Sequence, residues 1–99
     1  MRIISRKRLL EFAKIHADVA DPLDLWYRVA KSSNWLNLID VRQTYSAADV
    51  VGNFTVFNIK GNDYRLITSI VYPKQRIYIK YVLTHSEYDR DKWKDDPYY

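Results

Sequence analysis

The chain has 99 residues, with 16 Lys and Arg against 12 Asp and Glu, a net charge of +4 and a pI near 9.3. It contains no cysteine, which excludes a disulfide framework, a thiolate metal site and a catalytic thiol. A composition of 47% hydrophobic and 28% charged residues is that of a globular protein, and the length fits one domain over residues 1–99. No apolar run reaches the roughly 18 residues of a membrane-spanning helix, and the charged start from Arg2 to Arg8 has no apolar signal core. A soluble cytoplasmic protein is therefore expected. The positive charge is unevenly spread. Arg2, Arg6, Lys7, Arg8 and Lys14 stand against Glu11 alone, and Lys60, Arg65, Lys74, Arg76 and Lys80 against Asp63 alone. Two such segments imply a basic surface suited to a polyanion or an acidic partner.

In chain order, Arg2-Ile3-Ile4-Ser5 reads as a short strand ending in a helix cap. From Arg6 to about His16, Leu9, Phe12 and Ala13 recur at helical spacing, widened by Leu10 and Ile15. Asp21-Pro22 reads as an N-cap followed by proline at the first helical position. Pro22, Trp26, Val29 and Ala30 form the apolar face of this second helix, which fades at Ser32-Ser33-Asn34. Residues 35–51 are less regular: Leu36, Leu38, Ile39 and Val41 fit a short helix or an irregular segment, and 46–50 a further turn.

After Gly52 the pattern changes. Phe54 to Ile59, Tyr64 to Tyr72 and Ile77 to Leu83 are β-branched and aromatic runs of strand length, separated by Gly61-Asn62 and Pro73-Lys74-Gln75. Connections this short predict an antiparallel meander. A turn centred on Gly61-Asn62 sets Lys60 opposite Asp63 and Asn58 opposite Arg65, so Asn58 and Arg65 share a face. The expected fold is α+β, an N-terminal strand and helix pair packed on one face of an antiparallel sheet. The other face is expected to stay partly open, with Asp89, Asp91, Asp95 and Asp96 on a solvated acidic tail.

Few catalytic chemistries fit these residues. His16 and His85 are the only histidines and lie far apart in sequence, so no metal or cofactor site is expected. No phosphate-binding glycine loop or nucleophile elbow is present. What remains is Lys60, Arg65 and Lys80 on or beside the meander, followed by His85 and Tyr88. Singly, each is explained by a lysine or arginine lying over apolar surface, or by a histidine at a helix start. Together they are the groups that metal-free RNA cleavage uses: cations for the phosphorane and a histidine for proton transfer near neutral pH.

Val56-Phe57-Asn58-Ile59-Lys60-Gly61-Asn62-Asp63-Tyr64-Arg65-Leu66-Ile67 and Thr84-His85-Ser86-Glu87-Tyr88-Asp89 resemble the two hallmark blocks of HigB-type toxins in the RelE superfamily. Arg2-Ile3-Ile4-Ser5, Trp26 and Trp35 extend the resemblance along nearly the whole chain. It implies a microbial-RNase-like fold and a ribosome-dependent mRNA interferase that leaves a cyclic phosphate and a free 5′-hydroxyl. It also implies a HigA-type antitoxin carrying a helix-turn-helix domain, with the ribosome and mRNA as further partners. By position, Arg65 and Lys60 are the expected phosphate-binding and charge-stabilising groups. His85 is the expected acid or base, and Tyr88 its partner or a base-stacking group. Lys80, Asn58, Asn62 and Arg76 are the expected RNA contacts, the asparagines having turn formation as an alternative role. Two other functions fit the same fold: inhibition of DNA gyrase, as in the ParE branch, and a non-catalytic RNA- or protein-binding module.

Overall fold

In the computed structural model, which describes residues 1–99, the three apolar runs after Gly52 form the centre of a five-stranded sheet. Strand β1 (Arg2–Ile4) leads into α1 (Arg6–Ile15), a 3₁₀ turn at Ala17–Val19 and α2 (Ala20–Ser32). Next come α3 (Leu38–Thr44), β2 (Asp49–Val51), β3 (Phe54–Ile59), β4 (Tyr64–Val71), β5 (Arg76–Thr84) and α4 (His85–Asp89). The order across the sheet is β1-β5-β4-β3-β2, antiparallel except where β1 runs parallel to β5. This is the expected α+β architecture.

Alternation along the strands decides which side chains meet the helices. Phe57, Ile59, Tyr64, Leu66, Ile77, Ile79 and Val82 join one buried cluster with Leu9 of α1, Leu23, Trp26 and Ala30 of α2, Trp35 and Val41. Trp26 and Trp35 both pack on Phe57, at centroid distances of 5.3 and 6.2 Å, so one phenyl ring centres the helix-facing core. Residues one position away on the strands, Phe54, Val56, Asn58, Arg65 and Ile67, face the other side.

Three local expectations are revised. Residues 49–51 form an edge strand that pairs with β3 across Gly52-Asn53; three residues are too few to show alternation in the sequence. Helix α2 begins at Ala20 as a continuation of the 3₁₀ turn, so Asp21 is not its cap. Pro22 still falls in the first turn, where its missing N–H costs no helical bond. Ser5 occupies the N-cap position of α1 at φ 72, but its side chain makes no capping bond.

The largest revision concerns the tail. Instead of extending into solvent, it crosses the second sheet face, where Trp93 is buried against Phe54, Val56 and Ile67. The Trp93 indole N–H donates to the Tyr88 carbonyl at 3.0 Å, and its ring stacks on Tyr88 at 5.1 Å. Tyr99 packs so closely over Gly52 that a Cβ there would lie 2.8 Å from the ring, and Gly52 also holds φ +61. Asp96 accepts from the Tyr81 hydroxyl at 2.7 Å and lies 3.5 Å from the Lys80 ammonium. Trp93→Ala is expected to cost about 3–5 kcal/mol in urea unfolding, because it empties the centre of this layer. A loss below about 1 kcal/mol would mean that the tail contributes little to the fold.

Asp96 also makes the tail sensitive to acid. The Tyr81 hydroxyl, then the Tyr98 backbone N–H, hold its carboxyl below the ordinary value of 3.8. A depressed carboxyl contributes stability that is complete above its unfolded value and lost as the pH falls through its folded value. Asp96→Asn should therefore flatten the acid limb of a stability–pH curve measured by denaturant unfolding. An acid limb as steep as that of the unsubstituted protein would contradict this origin.

Candidate active site at the end of β4 and β5

The two sequence blocks meet at one end of the sheet. Strands β3 and β4 pair Asn58 with Arg65 and Ile59 with Tyr64, closing a loop at residues 60–63. Because neighbouring residues alternate, Tyr64 enters the helix-facing core and Arg65 emerges on the opposite face. The antiparallel partner β5 sets Thr84 beside Tyr64 and Leu83 beside Arg65. There Thr84 stops the strand and starts α4 through a capping box. Its hydroxyl accepts from the Glu87 N–H at 3.2 Å, and the Glu87 carboxylate accepts from the Thr84 N–H at 2.9 Å. This fixes His85 as the first helical residue, with its backbone N–H donating to the Asp63 carbonyl at 2.9 Å.

The Asn62 carbonyl oxygen is the point on which the cluster converges. Arg65 Nη1 donates to it at 3.1 Å, and His85 Nδ1 lies 2.9 Å from it. Arg65 Nη2 is 3.3 Å from the same His85 Nδ1, and His85 Nε2 is 3.0 Å from Asp89 Oδ2. Both protonation states of the ring therefore have partners. The imidazolium donates to the Asn62 carbonyl and to Asp89. The neutral ring keeps its Nε2–H on Asp89, while Nδ1 accepts from Arg65. Nδ1 thus sits between the Asn62 carbonyl and the Arg65 guanidinium, with a partner whether or not it carries a proton.

Tyr88 supports Arg65: the guanidinium carbon lies 5.4 Å from its ring centroid, and the ring is itself stacked on Trp93. Burial pushes the Tyr88 phenol above its usual range, against the opposing influence of Arg65. It is therefore protonated at neutral pH and unsuited to act as a base there.

The remaining expected residues are dispersed. Asn58 is half-buried on the Arg65 face. Asn62 serves the cluster through its backbone carbonyl. Lys60 turns to the helix side, where its ammonium donates to Asp18 at 2.8 Å. That bond holds the Lys60 ammonium above its usual range. Lys80 is the extra residue of a β-bulge opposite Ile67 and Thr68. The bulge brings Lys80 beside Tyr81 on the tail side, against Asp96 and 5.0 Å from the Tyr98 ring. Arg76 pairs with Val71, six residues along β4 from Arg65 and so roughly 20 Å from the cluster. Sequence reasoning missed the Asn62 carbonyl, which carries no side-chain signature, and Asp18, which is remote in sequence. It also missed Trp93, whose position in a charged tail concealed its burial.

A five-stranded sheet with α1, α2 and α3 on one face and a cationic corner at the strand ends has the architecture of a RelE-like toxin. The model of the HigB toxin family, the RelE-like toxic component of a toxin–antitoxin system, matches residues 19–91, and the chain belongs to that family. Among its relatives, the mRNA interferase HigB of Escherichia coli O6:H1 (strain CFT073) is 28% identical over 93 residues, covering 91% of this chain and 90% of that one. The mRNA interferase toxin HigB of Escherichia coli K12 is 44% identical over 34 residues, 34% of this chain and 33% of its own. The mRNA interferase HigB of Shigella flexneri matches to the same extent. A toxic component of such a system has an antitoxin as its partner. No helix of the chain is long and apolar enough to cross a membrane.

Proposed function

We propose that this chain, acting as one domain, is a ribosome-dependent, metal-independent mRNA endonuclease that leaves a 2′,3′-cyclic phosphate and a 5′-hydroxyl. The observation that carries this reading is the convergence of Arg65 and His85 on the Asn62 carbonyl, with a protonatable Nδ1 beside a fixed guanidinium. The relatives' names, which specify mRNA interferases, supply the substrate class. In the proposed reaction the 2′-oxygen attacks phosphorus, its proton passes to water, and Arg65 stabilises the charge on the phosphorane oxygens. The His85 imidazolium gives its Nδ1 proton to the departing 5′-oxygen. Arg65 then donates to the bare Nδ1, so the neutral ring keeps a partner.

Asp89 fixes the ring through Nε2, and Tyr88 holds Arg65 in place. Lys80, Asn58, Asn62 and Arg76 belong to the RNA-contacting surface, whereas Lys60 acts from the opposite side of the hairpin. The proposed steps use only Arg65, His85 and water, and proceed without a metal. The ribosome supplies the mRNA in a fixed conformation, a requirement that matches the small number of acid–base groups in the cluster. The partner that silences the toxin is proposed to be a HigA-type antitoxin with a helix-turn-helix domain, and the site of action the cytoplasm.

Induction of the chain in growing cells separates this reading from gyrase inhibition. Rapid arrest of protein synthesis, with broken mRNA and intact DNA, is expected. Gyrase-linked DNA breaks with intact mRNA would overturn the endonuclease reading.

A further inference from the structure

The loop that presents the Asn62 carbonyl is closed by the Asp63 N–H donating to the Lys60 carbonyl at 3.2 Å and tied to α4 by the His85 N–H on the Asp63 carbonyl. Lys60 and Gly61 take consecutive left-handed conformations, φ 53 and 63, an unfavourable backbone state for the lysine. Around Gly61 the tip is open, since a Cβ there would meet nothing within 4 Å. The helix side, however, provides an anchor. Asp18 lies in the 3₁₀ turn Ala17–Val19, next to the fully buried Val19. One carboxylate oxygen accepts from Lys60 Nζ at 2.8 Å, and both lie 2.9 Å from the Tyr64 hydroxyl. Lys60 and Tyr64 bracket the loop, one at its first residue and the other just past its last. On the opposite side of the hairpin, the carbonyl in the middle of that loop receives both Arg65 and His85.

We propose that Asp18 is a positioning residue for the cleavage site: by holding Lys60 and Tyr64 it fixes the 60–63 loop, and through the Asn62 carbonyl it sets the relative placement of Arg65 and His85. The inference rests on the endonuclease reading for its effect on rate, but not for its effect on geometry. It also gives Lys60 a task that needs no contact with RNA. Both donors hold the Asp18 carboxyl below its usual range, Lys60 foremost, so the clamp is ionised at neutral pH.

The test uses the full-length chain with Asp18→Asn, Lys60→Met, the double variant and the exchanged pair Asp18→Lys with Lys60→Asp. Single-turnover cleavage of ribosome-bound mRNA should fall by about tenfold to a hundredfold in each single variant, with ribosome affinity unchanged, as for a small misplacement of reacting groups. The double variant should be no slower than either single one, and the exchanged pair should recover part of the loss. Below the unfolding transition, the ¹⁵N chemical shift of His85 Nδ1 should move in Asp18→Asn, which a role confined to global stability would not produce. Unchanged His85 shifts in folded Asp18→Asn would overturn the clamp, as would wild-type cleavage by that variant. Failure of the unsubstituted chain to cleave would instead remove the endonuclease reading, leaving the shift comparison to decide the clamp alone.

Discussion

Arg65→Ala is expected to slow cleavage of ribosome-bound mRNA by about 10²-fold or more, the scale of losing one preorganised charge contact to a transition state. The expectation follows from how the guanidinium is held. Two carbonyls, those of Asn62 and Tyr64, fix Nη1 at 3.1 and 3.2 Å, and the Tyr88 ring covers the plane. The fork is thereby oriented before substrate arrives, and little reorganisation is left for the reaction step. Arg65→Lys should recover only part of the rate, because a single ammonium cannot bond the loop carbonyls and a phosphate oxygen in the geometry of a fork. Ribosome association, measured in parallel, should change far less than the rate. Near-wild-type cleavage by folded Arg65→Ala would remove Arg65 from the mechanism.

The second large effect concerns His85, and its chemical form makes it more specific. His85→Ala should lower the rate by about 10²- to 10⁴-fold, the range for losing a positioned proton donor. If His85 protonates the leaving oxygen, replacing the scissile 5′-oxygen by sulfur should restore much of that loss, since a thiolate departs without a proton. The same substitution should leave the Arg65→Ala defect largely in place, because charge on the phosphorane oxygens is unchanged. A His85→Ala defect of equal size on both substrates would exclude the donor role and reassign His85 to the 2′-hydroxyl or to binding. Asp89 lies on the far ring nitrogen, so Asp89→Asn should act through ring orientation and cost less than removing the ring.

Much of this corner was legible in the sequence because it rests on local rules. Strand periodicity and the Gly61-Asn62 connection predict the Asn58–Arg65 register, and the observed pairing has it. A histidine at a helix start is also expected, and the structure adds the Thr84–Glu87 capping box that makes the chain turn at His85. Other features depend on contacts between residues remote in sequence. Asp18 meets Lys60 across 42 positions, and no periodicity encodes that meeting. The tail misled in a similar way. Its acidic residues suggest solvation, yet Trp93 and Tyr99 carry enough apolar surface to cover a sheet face, and Asp96 finds Tyr81 and Lys80 there. Charge counts describe a segment's average, whereas burial is decided by its aromatic rings.

The most direct test of RNA cleavage through the adjacent hydroxyl is an mRNA programmed on the ribosome with one 2′-deoxynucleotide at the scissile position. Cleavage at that bond is expected to stop, while the all-ribose message yields fragments ending in a 2′,3′-cyclic phosphate and beginning with a 5′-hydroxyl. Continued cleavage of the deoxy message, or fragments beginning with a 5′-phosphate, would contradict the proposed role of the Arg65–His85 cluster.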